Sequence, residues 1–541
     1  MFSALPARGA FLPAAEGSHL AVATDTADAT HAALDVMRAG GNAFDGAIAA
    51  ALALGVVGPS ASGLGGGGFA LVWSARDHRM IALDFRETAP AHGTEATLAV
   101  RGKRGTSVGV PGEPAGLEWL SVHYAHKSLA DDAAPARALA ANGFVVGRHL
   151  SDILSFTSRM VEGTPLAPDL LPGGRPLAYR STWRRGALAR TIGRFGAEGS
   201  RPFYTGDIAP KIVAAARAEG SVMDADDLAH YRVRERAPLT RVIGNRTVAT
   251  MPAPSAGGLM VMETLLAFGT DSSSSLKAVG FESASYLHSV AEIMRGAIAD
   301  RARLAGDPDV DPAVDAAFAR ALDPHQIEAR RARIDPYKTH PATEFKTREQ
   351  GTTHLVVTDD DGNVVSLTTT VNGPFGARIP AGDTGIWLNN QLDDFSAPAD
   401  VAPFGVAGGG ANRPRGGARA VSSMAPTIVL ENGAPIVALG GSGGRHIATE
   451  VTQATLARLV FDFDPGECVS APRIYTNGSN LVVDREISED TRAALRMRGE
   501  TVSQEPFNGT GVQMIAWDRT SGTVRILAAS DPRKLGFAAA L

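Results

Sequence analysis

Two β-branched runs, Thr352 to Thr358 and Val364 to Val371, flank the segment Asp359-Asp360-Asp361-Gly362-Asn363. Asp-Gly between such runs is a strong hairpin signal, because a tight turn needs residues that tolerate positive φ. A turn centred on Asp361 sets the register and puts Thr352 across the ladder from Thr370. Cross-strand threonines can hydrogen-bond to each other. The pairing also has a plain reading, since threonine is common in strands.

The rest of the chain supplies helices and further strands for this hairpin to pack against. Thr26 to Ala39 reads as a helix ended by Gly40-Gly41, a usual C-terminal stop. Asn42 caps a second helix running to about Val57; it is apolar nearly all round and so is expected to be buried. A glycine loop, Leu64 to Phe69, leads into a strand, Ala70 to Trp73, and a further strand ends near Asp84-Phe85. Residues 115–330 read as mostly helical, interrupted by a strand pair between Val233 and Thr250. Residues 324–351 are polar and carry Pro324, Pro336 and Pro341, which predicts a mobile linker. Strands are expected at Thr427 to Leu430 and Ile436 to Leu439, a helix near 447–461, and a flexible loop at 405–417. The alternation points to a layered α/β or α+β fold.

Composition excludes several classes. Net charge is −5 with no long basic run, so nucleic acid has no electrostatic footprint. Cys468 is the one cysteine, which rules out an internal disulfide and a cysteine-based zinc cage. No apolar run reaches the ~20 residues of a membrane helix; the longest, Ala47 to Val57, is closed by Gly58-Pro59. Met1 to Glu16 lacks a sustained apolar stretch, so no secretory signal is read and a cytoplasmic location is expected.

Two glycine motifs fit known patterns only superficially. Gly63-x-Gly65-x-x-Gly68 matches the dinucleotide fingerprint, but that motif needs a strand before it and a helix after it, and here the order is reversed. Gly440-x-Ser442-x-Gly444 matches a serine-hydrolase elbow, yet the only later histidine is His446, and no acid lies between them to complete the triad. Backbone N–H groups of those glycines suit an oxyanion instead. No His-Glu-x-x-His pair exists and the 13 histidines are scattered, so neither a metal nor a cofactor is expected.

Gly351-Thr352 carries the chemistry. A hydroxyl is a weak nucleophile without a base. A threonine at a chain start has one built in, an α-amine with a pKa of about 7.7–8.0. Thr352 gains that amine only if the Gly351–Thr352 bond is cut, and glycine gives the backbone room for the cut.

The segment TTHLVVTDDDGNVVSLTTTVNGPFG (352–376) resembles the start of the small subunit of γ-glutamyltranspeptidases, which are N-terminal nucleophile hydrolases. The likeness extends over nearly the whole chain: GGNAFDGAIAAALAL (40–54), GLGGGGF (63–69), DFRETAP (84–90), GVPGEPAG (109–116), MPAPSAGG (251–258), GIWLNNQLDDFS (385–396), SSMAPTIV (422–429) and GGSGG (440–444) occur in the family's order. The resemblance implies a four-layer αββα sandwich made as one precursor, with a largely helical region in its first part. Thr352 would attack the carbonyl of Gly351 and divide the chain into a large part (1–351) and a small part (352–541), which remain together as one unit. Thr352 would then form an acyl-enzyme with a γ-glutamyl amide, released by water or by an amino-acid or peptide amine.

The resemblance also implies roles. Arg86 matches the arginine on the substrate α-carboxylate, where a guanidinium fork suits a carboxylate, and Ser422 and Ser423 match serines on the same group. Asn372, Gln391 and Asp394 match the groups that hold the α-ammonium; Asp394 supplies charge, the two amides neutral acceptors. Gly443 and Gly444 match the oxyanion hole, and Thr370 the threonine that supports the nucleophile. Three features depart from the family, one being that no secretory signal is read where many relatives are exported. Phe404 stands where relatives often carry tyrosine in the lid-like loop 395–417, and Gly-Ala-Arg-Ala-Val precedes Ser422 where a Lys-Arg-Pro-like stretch is usual. The alternatives are an acylase on the same scaffold, for glutaryl, poly-γ-glutamate or another small amide, and an uncleaved binding protein. Neither nucleic acid nor membrane is expected as a partner.

Overall fold

The expected hairpin forms around Gly362, which takes a φ of +82°. Asp359 closes the turn: its Oδ1 accepts from Asn363 N at 3.0 Å and its carbonyl from Gly362 N at 3.1 Å. The register runs from Thr358 opposite Val364 to Thr353 opposite Thr369, which is the pairing a turn centred on Asp361 requires. The computed structural model describes residues 11–100, 102–340, 351–396, 410–476, 478–507, 509–519 and 522–541.

This hairpin is the middle of a seven-stranded antiparallel sheet. In spatial order the strands are Phe537–Ala540, Ala21–Thr24, Thr353–Thr358, Val364–Thr370, Gly67–Ser74, Arg79–Phe85 and Arg234–Arg236. A second sheet of seven orders Ala15–Gly17, Arg525–Ser530, Gly511–Asp518, Ala434–Ser442, Thr427–Glu431, Arg246–Thr250 and Leu239–Ile243. The strand pair expected between Val233 and Thr250 is three strands, one in the first sheet and two in the second.

Side-chain alternation decides what each face meets. Phe69, Leu71 and Trp73 point into a core shared with Ile428, Leu439 and Met514 of the second sheet. Their neighbours Ala70 and Val72 point the other way, onto a core with Ala47, Ile48 and Ala51. Those three belong to the helix Ala43–Val57, whose every residue is buried and whose start is a reciprocal capping box between Asn42 and Asp45. On the far side, the helices Ala256–Phe268 and Ile447–Phe461 cover the second sheet. The result is helix, sheet, sheet, helix: the αββα sandwich.

Close approach of neighbouring strands in one case, and of the two sheets in the other, explains two glycines. A Cβ on Gly66 would lie 2.1 Å from the Thr370 carbonyl oxygen, and one on Gly440 would lie 2.2 Å from the His354 ring. The Gly63–Gly68 loop therefore serves strand packing beside the hairpin.

The linker expected at 324–351 needs correction. Pro324–Arg331 is a helix capped by Asp323, whose side chain accepts from His325 N, and Ile327 is buried in the core. Asp-Pro is a helix start as well as a breaker, because proline at the first helical position loses no hydrogen bond. Residues 341–350 lie outside the described residues, as do 397–409, which contain Phe404 and most of the lid-like loop.

Phe69→Ala is expected to cost about 3–5 kcal/mol, the usual price of emptying a buried aromatic site. Val242→Ser, at a position 71% exposed, is expected to stay within about 0.5 kcal/mol. Urea denaturation of both variants checks this; equal midpoints would contradict the layer assignment.

Candidate active site

Thr352 sits just before the strand Thr353–Thr358, at the end of the hairpin remote from its turn. Its hydroxyl donates to the Gly351 carbonyl oxygen at 2.5 Å, and Thr370 Oγ1 donates to the same oxygen at 2.6 Å. The Gly351 carbonyl thus receives two hydroxyl protons, one of them from the side chain adjacent to its own carbon. Gly351 N donates to Asn372 O at 2.6 Å, and Asn372 N donates to Thr370 Oγ1 at 2.8 Å. Asn372 adopts a φ of +73°, which folds the chain back over the strand end and ties both threonines to the peptide before Thr352.

A second group of residues grips Thr352 from behind. Lys534 Nζ donates to the Thr352 carbonyl oxygen at 2.8 Å, to Asp25 Oδ2 at 2.7 Å and to Ser442 Oγ at 2.9 Å. Asp25 also accepts from Thr353 Oγ1 at 2.8 Å and from Gln513 Nε2 at 2.6 Å. Burial pushes the Asp25 carboxyl up, but the charge and hydrogen bond of the Lys534 ammonium, with the hydrogen bond from Thr353, outweigh it and hold the group below the ordinary carboxylate range. The sequence reading missed Asp25, Gln513 and Lys534, which share no motif and come from opposite ends of the chain. Ser442, the elbow-like serine, is a fully buried member of this cluster, which agrees with its rejection as a nucleophile.

Gly443 and Gly444 follow Ser442 with φ of +127° and +60° and open a short turn, Gly444–His446, into the helix Ile447–Phe461. N–H groups at a helix start suit a developing negative charge. Gly443 and Thr352 share the wall of a cavity of about 440 Å³, with Gly351, His149, Phe507 and Lys534.

The remaining sequence-predicted residues gather at a separate place. Arg86, 1% exposed, donates through Nη2 to Asp394 Oδ2 at 2.9 Å and to Val421 O at 3.0 Å, and through Nε to Ala420 O at 3.1 Å. Gln391 Nε2 donates to the same Asp394 oxygen at 2.6 Å. Ser422 and Ser423, both buried, follow the carbonyls that hold Arg86. Asn372 Nδ2 donates to Asn390 O at 3.0 Å, which links this group to the Thr370 side. Arg86 and Asp394, expected at opposite ends of a zwitterion, are here in direct contact. Neighbouring Glu87 is wholly buried; that burial, against the pull of Arg86, raises its carboxyl to about 8.

Among the described residues, His288, Glu292 and Glu500 bring ligand-type atoms close together. Arg295 already lies in that cluster, pairing with both glutamates, so a cation of the protein's own fills the role a metal would have.

His354, the residue after Thr353, is completely buried, with Nδ1 2.8 Å from Thr368 Oγ1. Burial drives its pKa down to about 3. An unfolded histidine titrates near 6.5, so between these values the unfolded chain holds the extra proton. The stability present above about pH 6.5 is therefore lost as pH falls toward 3, by up to ~1.4 kcal/mol per unit. Urea midpoints of the wild type and His354→Gln, compared at pH 6.5 and 5, are expected to show about 2 kcal/mol more loss in the wild type. Equal losses would contradict this.

Comparison with known proteins agrees along the whole chain. The profile of the family described as gamma-glutamyltranspeptidase matches residues 29–541. Glutathione hydrolase 2 of Arabidopsis thaliana is 35% identical, covering 96% of this chain and 93% of its own length. The glutathione hydrolase proenzyme of Escherichia coli is 33% identical, covering 95% and 90%. Among solved structures, cephalosporin acylase from Bacillus halodurans superposes with a TM-score of 0.85 at 25% identity, over 100% of this chain and 99% of that one. The gamma-glutamyltranspeptidase of Helicobacter pylori gives 0.54 at 29% identity, over 62% and 95%. With nearly the full length matched by one family and by relatives above 30% identity, the chain belongs to the γ-glutamyltranspeptidase family.

Proposed function

We propose that the protein cuts itself between Gly351 and Thr352 and then, through Thr352, cleaves γ-glutamyl amides of the glutathione type, passing the acyl group to water or to an amino-acid or peptide amine. The observation that carries this reading is the convergence of the Thr352 and Thr370 hydroxyls on the Gly351 carbonyl oxygen, at 2.5 and 2.6 Å.

In the first reaction Thr352 Oγ1 attacks the Gly351 carbonyl carbon while Thr370 supports the developing oxyanion. The C–N bond breaks as the C–O bond completes, and the proton from Oγ1 passes to the departing nitrogen. Water then hydrolyses the resulting ester, which frees Gly351 as a carboxylate and restores the Thr352 hydroxyl beside the amine released when the C–N bond broke. In the second reaction that amine takes the Oγ1 proton, Oγ1 attacks the γ-amide carbon, and the N–H groups of Gly443 and Gly444 receive the oxyanion. The amine gives its proton to the leaving nitrogen, and water or an acceptor amine releases the acyl group by the reverse path.

Arg86, Asp394 and their neighbours would select the glutamyl head. An α-carboxylate drawing Arg86, Ser422 and Ser423, and an α-ammonium drawing Asp394, Gln391 and Asn372, would exchange one internal ion pair for two with the substrate. Each hydrogen bond to a charged group is worth about 1.5–3 kcal/mol. The two fragments would stay together after the cut, because strands from both sides of residue 351 pair with each other in both sheets. The superposition on a cephalosporin acylase supports a second reading, a related acylase on the same scaffold; a glutaryl donor, one substrate that reading allows, lacks the ammonium that Asp394 would hold.

Intact mass under denaturing conditions is expected to show two chains, the smaller beginning at Thr352, and Thr352→Ala to show one chain without activity; a cut, active T352A would remove Thr352 from its role. Asp394→Asn is expected to raise KM for γ-glutamyl-para-nitroanilide by about 10-fold or more while leaving cleavage of glutaryl-para-nitroanilide little changed. A wild type that prefers the glutaryl donor would favour the acylase.

A further inference from the structure

Lys534 is neither a surface cation nor a spare ligand for substrate. It is 4% exposed, and its three ammonium hydrogens have three acceptors: the Thr352 carbonyl, Asp25 and Ser442. The bond to Thr352 is to the carbonyl on the far side of the residue from the Gly351 peptide. Cutting before Thr352 therefore leaves it intact. We propose that Lys534, braced by Asp25, is the positioning residue of the nucleophile: it fixes the backbone of Thr352 and keeps a positive charge beside the amine that cleavage creates, so that this amine works as a free base. The proposal rests on the self-processing reading above.

The physical argument is short. A like charge disfavours a protonated amine, and the effect is strong where water is scarce. The ammonium of Lys534 and the α-amine sit on one residue's backbone, one at its carbonyl and the other at its nitrogen. Other groups face this point from each neighbouring element. Asp25 comes from the end of Ala21–Thr24 and carries the compensating charge. His354 lies on the nucleophile strand. His149 comes from the helix Arg148–Val161, and burial lowers it to about 4. His446, lowered to about 3 mainly by burial, stands with Arg445 before Ile447–Phe461. Glu505 ends Thr501–Glu505. With the three histidines neutral, Lys534 is, among the described residues, the cation hydrogen-bonded to Thr352, and Asp25 holds it there.

The test uses the whole protein, with intact mass measured first to establish that each variant is cut. The dependence of kcat/KM on pH is then recorded from 5.5 to 10 with γ-glutamyl-para-nitroanilide. Lys534→Met is expected to move the acid limb up by about one unit, so that activity falls about 10-fold at pH 7 and recovers to within about 2-fold near pH 9.5. Lys534→Arg, which keeps the charge, is expected to leave the limb in place. Asp25→Asn is expected to move it down, since an anion is lost. A K534M protein slowed by the same factor at every pH would overturn the proposal, as would K534R and K534M profiles that coincide. Should K534M remain uncut, the D25N profile decides, and an unmoved limb there overturns the proposal. A wild type that is not cut at all defeats the self-processing reading instead.

Discussion

Antiparallel pairing of Thr353–Thr358 with Val364–Thr370 is the constraint on which the rest of the structure depends. The period of two along these strands sends Val356 toward the second sheet and Leu355 and Val357 toward the helices, which fixes which surfaces the layers bury. The same register carries Thr370 to the end of the ladder where Thr352 begins. Slipping it by one residue would turn every apolar side chain to the wrong face. Core packing and the alignment of the two threonines are thus enforced by one set of hydrogen bonds, and the large buried area of the sandwich protects a geometry that two short hydrogen bonds alone would not hold.

Several buried ion pairs hold the turn beside this ladder end. The turn that presents Lys534 is anchored by Asp531, which pairs with Arg473 at 2.5 Å, while Arg473 reaches Glu450 at 3.0 Å and Arg533 reaches Asp484 at 2.9 Å. Removing ions from water is costly, and such pairs contribute little net stability. What they add is placement. Arg473 crosses between the segment after the helix Pro465–Ser470 and the chain's last turn, so the position of Lys534 is set by residues far from it in sequence.

The hairpin, its register, the helix capped by Asn42 and the glycine loop were legible in the sequence because each rests on local rules: turn chemistry, capping and periodicity. The αββα arrangement and the grouping of Arg86 with Gln391 and Asp394 came through the family resemblance, since no spacing rule links position 86 to position 394. Asp25, Gln513 and Lys534 escaped both routes. Each is a polar residue in an unremarkable local setting, and only strand pairing between the two ends of the chain brings them together. The helix Pro324–Arg331 was misread because proline was weighed as a breaker and the preceding aspartate was not weighed as a cap.

The late position of Lys534 in the chain has a consequence for timing. During synthesis Thr352 leaves the ribosome long before Lys534, which follows every strand of both sheets except Phe537–Ala540. The grip on the Thr352 carbonyl and the ladder between Phe537–Ala540 and Ala21–Thr24 can form only after residues 534–540 have been made. An irreversible peptide-bond cleavage that needs this completed sheet would be withheld from nascent or truncated chains that lack residues 537–540, so that maturation itself would act as a check on their synthesis and pairing.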